Sequence, residues 1–71
     1  MDQRLIEALR AKYQYDMKKA VAEININLSN PTKNSMEIID NLLDEFKNAK
    51  DKGGYFESVL NTLKPNQENE N

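Results

Sequence analysis

The sequence predicts an all-α fold: an antiparallel helical hairpin with a short third helix, completed by self-association into a dimeric helical bundle. Three observations lead there. Apolar residues recur at steps of three or four along most of the chain, the spacing of one face of an α-helix. Pro31, Pro65 and the pair Gly53-Gly54 punctuate those stretches. The chain has 71 residues with no Cys and no His, so disulfides and the usual metal sites are closed to it, and oligomerisation remains as the route to extra stability for so small a core.

The first helix is expected over about 2–29. Leu5, Leu9, Tyr13, Met17, Ala20, Ile24 and Leu28 form its stripe, widened by Ile6 and Val21, and no Pro or Gly interrupts about seven turns, roughly 40 Å. Asp2 is a suitable N-cap whose charge suits the positive end of the helix. Glu7 with Arg10, Lys12 with Asp16 and Lys19 with Glu23 stand at helical spacing for exposed ion pairs worth about 0.2–0.5 kcal/mol each. A second, sparser set lies opposite the stripe: Ala8, Ala11, Tyr15, Ala22 and Ile26. Small residues there admit another helix, and Tyr15 and Ile26 lose most by staying in water, so these five are the candidate partner-binding residues.

Pro31 stops the helix, since it disfavours the α conformation in Asn30 and has no N–H to donate. Asn30 is expected to adopt the left-handed C-terminal geometry. The short connection that follows makes antiparallel neighbours. Asn34 with Glu37 has the spacing of a capping box, and Ser35 competes as the cap.

A second helix is expected over 35–52, with Met36, Ile38, Ile39, Leu42, Leu43, Phe46 and Ala49 on one broad side. Two adjacent glycines are costly inside a helix, so Gly53-Gly54 is expected to end or bend it. Tyr55, Phe56, Val59, Leu60 and Leu63 then form the stripe of a third helix over 55–64, which covers the first turns at Leu5, Ile6 and Leu9. Residues 1–64 thus make a single helical domain, and 65–71 a disordered polar tail.

The composition closes off most chemistry. Without His or Cys there is no imidazole base and no thiol nucleophile, and no enzyme activity or cofactor is expected. Asp40 and Asp44, with Asn41 or Asn48, lie along one helix face, but a rigid face rarely converges the six or more oxygens that calcium takes. They read as a solvated acidic face. Lys47, Lys50 and Lys52 complement the negative end of the second helix rather than forming a phosphate loop, for which strand and glycine spacing are lacking. A net charge of -2 argues against nucleic acid as partner, with a nucleic-acid-associated accessory role as the disfavoured alternative. No segment has the roughly 20 apolar residues of a membrane span. The absence of Cys and of a signal peptide fits a cytoplasmic protein.

The run Leu5-Ile6-Glu7-Ala8-Leu9-Arg10-Ala11-Lys12-Tyr13, with Ala20-Val21-Ala22-Glu23-Ile24-Asn25-Ile26-Asn27-Leu28 and the stop at Asn30-Pro31, resembles small uncharacterised helical proteins of marine cyanophages of the T4-like group. The resemblance covers the first helix and the turn. It implies an accessory phage protein inside an infected bacterium, with a virion structural component as another setting. The expected function is therefore a small non-enzymatic protein–protein interaction module. Its first expected partner is a second copy, as a dimer, and after that a host or phage protein.

Overall fold

In the computed structural model, which describes residues 2–69, two helices pack against each other and no strand is present among the described residues: α1 (Gln3–Ser29) and α2 (Ser35–Asn69). Asp2 caps α1, its carboxylate accepting hydrogen bonds from the Arg4 and Leu5 N–H groups at 2.9 and 3.2 Å. These are two of the four donors that a helix start leaves without partners. At the other end the Asn30 N–H closes on the Ile26 carbonyl at 2.9 Å. Asn30 does not take the expected left-handed conformation: its φ is -132°, because the ring of Pro31 pushes the preceding residue toward extended backbone.

The turn is tied to both helices by Ser35. Its hydroxyl donates to Asn27 Oδ1 at 3.0 Å and accepts the Thr32 N–H at 2.8 Å. This satisfies a polar group that is otherwise enclosed between the helices. The Asn34–Glu37 capping box does not form. The Asn34 carbonyl instead accepts from the Ile38 N–H at 3.0 Å and begins the helical ladder.

Burial follows a seven-residue repeat. In α2 the covered positions are Ser35, Ile39, Leu42, Phe46, Ala49, Gly53, Phe56 and Leu60, alternating steps of four and three, with Glu57 half-covered beside them. In α1 they are Ile6, Arg10, Tyr13, Met17, Ala20, Ile24 and Asn27, with the same alternation, and Leu9, Asp16 and Glu23 half-covered beside them. A 4-3 alternation averages 3.5 residues per turn, the repeat at which two helices keep one seam in register along their length. The cross-links run antiparallel, as Asn27 bonds Ser35 near the turn while Tyr13 meets Phe56 edge-on at 6.3 Å and Arg10 reaches Glu57 farther along. The result is a rod 59 Å long and 17 by 12 Å in section.

The third helix is a correction. The chain stays helical through Gly53 and Gly54, and α2 is one element. Both glycines have ordinary negative φ. Gly53 occupies a seam position: a Cβ placed there would lie 3.6 Å from the Tyr13 Cβ. Glycine thus removes a side chain from the apolar pattern without removing the position from the seam, and packing on α1 offsets a propensity cost of about 2 kcal/mol for the pair. The helix also continues past the expected stop at Pro65, to Asn69. Proline withdraws a single donor there, from the bond to the Asn61 carbonyl. Residues 70 and 71 lie outside the described residues.

The apolar stripes shift as well. Leu5 and Leu28, placed in the expected core, are exposed, as are Met36, Ile38, Leu43, Tyr55 and Val59. Successive steps of four rotate a stripe by 40° each time, so the expected stripe drifts off the partner at both ends of α1. The seven-residue seam does not drift.

Candidate interaction surfaces

The seam leaves two long grooves where the helices meet. One is polar at its middle, lined by Lys12, Asp16 and Lys19 of α1 and Glu45, Asn48 and Lys52 of α2. Lys12 and Asp16 pair there at 3.1 Å. Glu7 and Arg10 also pair, at 2.9 Å, whereas the expected Lys19–Glu23 pair is not formed.

The opposite groove changes character along its length. Toward the open end it is lined by Arg10, Gln14, Lys50, Gly53, Gly54 and Glu57. Arg10 forks onto Glu57, its Nε donating to Oε2 at 2.7 Å and its Nη2 to Oε1 at 2.9 Å, while Nη1 holds Glu7 at 2.9 Å. The guanidinium hydrogen bond, partly opposed by burial and aided by its charge, holds the Glu57 carboxyl below the usual carboxylate range. A carboxyl whose pKa is lowered by folding stabilises the fold above its unfolded value and ceases to do so once acid protonates it in the folded state. Glu57→Gln is accordingly expected to lower the melting temperature at neutral pH, with the gap from wild type closing in acid below that range. Thermal melts across pH check this, and an equal gap at neutral and strongly acid pH would refute the linkage.

Closer to the turn, in steps of seven residues, most positions of this groove become apolar, although Glu57 first gives way to Lys50 and Gly54 to Lys47. Gln14 gives way to Val21 and then Leu28, Lys50 to Leu43 and then Met36, and Gly53 to Phe46 and then Ile39. Met17, Val21 and Phe46 line one stretch of this surface, and Met36, Ile39 and Leu43 another. Met36 is 86% exposed, Leu28 66%, Val21 53% and Leu43 52%. Apolar side chains from both helices thus predominate along the turn-proximal half of the groove, bordered by Lys18 and Asn25 of α1 and by Lys33, Glu37 and Asp40 of the turn and α2. Sequence reading missed it by assigning Leu28, Met36 and Leu43 to the core. The 4-3 periodicity, had the seam been traced at seven-residue steps, separates them from it.

The five candidates from the sequence, Ala8, Ala11, Tyr15, Ala22 and Ile26, are all exposed. Ala8, Tyr15 and Ala22 recur at seven-residue steps on the back of α1, with Ala11 beside them, and Ala22 also borders the stretch lined by Met17, Val21 and Phe46. Ile26, a seven-residue step beyond Lys19, is displaced toward the polar groove. They form a row on one helix, with Tyr15 and Ile26 as its large members at 62% and 61% exposure. A third exposed group, Leu5, Tyr55 and Val59, lies at the open end of the rod on the polar-groove side.

Among the described residues no three acidic side chains converge. Among the described residues no helix is long and apolar enough to cross a membrane. Comparison with known proteins finds no matching family model, no matching curated protein and no matching solved structure.

Proposed function

We propose that this chain is a non-enzymatic protein–protein interaction module that self-associates through its helix faces, and that it serves as a phage accessory protein in the cytoplasm of an infected bacterium. The observation that carries the reading is the imbalance between a thin seam and a wet apolar surface. Among the described residues no large side chain is fully enclosed, and eleven large apolar side chains are exposed. Where such side chains gather, as Val21, Leu28, Met36 and Leu43 do beside the turn, the patch marks a binding face. The setting rests on the resemblance of the first helix and turn to cyanophage proteins. A host or phage protein is the second class of partner, for which the Tyr15 and Ile26 row on the back of α1 is available.

Static light scattering over a concentration series tests the reading. The mean mass is expected to rise from that of one 8.2 kDa chain toward twice that value as concentration increases. A folded chain that keeps the monomer mass to millimolar concentration rules out self-association.

A further inference from the structure

Self-association leaves open which face is used and what occupies it. We infer that the turn-proximal apolar face marked by Val21, Leu28, Met36 and Leu43 is where a second copy of this chain docks, producing a four-helix bundle; the inference rests on the proposed self-association and assigns its surface.

Three observations select the face and the occupant. The first is area. With the fractional exposures above and the half-covered Met17, Ile24, Ile39 and Phe46 between them, the face presents roughly 600 Å² of largely apolar surface, at the upper end for a monomer's largest patch. Flanking residues such as Lys18, Asn25 and Asp40 bring it close to the ~800 Å² per partner that a stable interface needs.

The second is its two-row form. Val21 and Leu28 stand seven residues apart on α1, and Met36 and Leu43 stand seven apart on α2, so each row asks for a helix of matching repeat. A single helix laid in the groove between the rows covers their facing sides and leaves their outer sides in water. A second hairpin supplies two helices with the same seven-residue spacing, and its rows interdigitate with these as the intramolecular seam does. The third is charge. None of these eight side chains is ionisable, so the centre of the face buries no charge, while the residues that border it, Lys18, Lys33, Glu37 and Asp40, carry both signs. Neither the Tyr15 and Ile26 row, confined to one helix, nor the Leu5, Tyr55 and Val59 group shows both features.

The test uses the full chain. Sedimentation equilibrium is expected to give a monomer–dimer transition whose Kd rises at least about 100-fold in the Val21→Ser, Leu43→Ser double variant, since each lost apolar contact occurs twice in a symmetric dimer. Tyr15→Ser with Ile26→Ser is expected to leave Kd within about three-fold, as exposed positions away from an interface do. Both substituted sites lie off the seam, and circular dichroism checks that helicity is retained. A second measurement needs no variant: in a methyl NMR dilution series of the wild type, concentration-dependent shifts are expected at Val21, Leu28, Met36 and Leu43 and not at Ile26. A wild-type chain that remains monomeric overturns the self-association itself. A dimer that tolerates the Val21 and Leu43 changes, or whose dilution shifts fall on Ile26, overturns this surface while leaving self-association intact.

Discussion

Replacing Gly53 and Gly54 together by alanine is expected to stabilise the protein by about 1–2 kcal/mol, because each glycine sits inside a helix and gives the unfolded chain freedom that alanine does not. The surroundings permit it. A Cβ at Gly54 meets nothing within 4 Å, and one at Gly53 lies 3.6 Å from the Tyr13 Cβ, an ordinary van der Waals contact. Since neither glycine has a positive φ, no backbone strain accompanies the change. For a chain of this size the gain corresponds to a rise in melting temperature of roughly 5–15 °C. Thermal melts at one fixed protein concentration, which holds any association constant, provide the measurement. A fall in melting temperature would mean that α2 bends at this point.

Leu42→Ala is expected to have the larger effect, a loss of about 2–3 kcal/mol. Leu42 is 5% exposed and lies mid-seam between Ile39 and Phe46, the best-covered large aliphatic side chain of α2 near the turn. Truncation removes the transfer free energy of its methyl groups and leaves a void that two straight helices close only in part. Against a total of about 4–10 kcal/mol for a chain of this length, such a loss is a large share of the whole. Urea titration followed by helical signal measures it. Leu43→Ala, one residue on, serves as the contrast: Leu43 stands off the seam, so its truncation costs less than half as much in the monomer. Equal losses at the two positions would contradict the seam assignment.

How much of this was legible in the sequence varies by element. The all-helical class and the pairing of two helices followed from apolar spacing, and the break at Asn30-Pro31 from the chemistry of proline. Continuity through Gly53-Gly54 was not legible, since intrinsic propensity speaks against it and glycine has no side chain with which to declare a core position. Only the partner helix, with Tyr13 alongside, shows that the position is used. The exposed face was hidden for a related reason. Leu28, Met36 and Leu43 are as apolar as the seam residues, and a 3.6-residue wheel places them within the same broad stripe. Their separation depends on the 3.5-residue repeat that two paired helices impose on each other. Ion pairs within a helix were readable from spacing, as Glu7–Arg10 and Lys12–Asp16 show. The Arg10–Glu57 fork, between residues 47 apart in sequence, had no local signature.

The seven-residue seam also makes the length of this rod a discrete quantity. Removing seven residues from each helix at matching levels shortens the hairpin by about 10.5 Å and returns every remaining seam position to its partner. Removing any other number turns what lies beyond by about 100° per residue and carries the stripe away from the opposite helix. Two chains that share this architecture are thus expected to differ in helix length by whole heptads, with other insertions confined to the turn around Thr32 or to the stretch of α2 beyond Leu60.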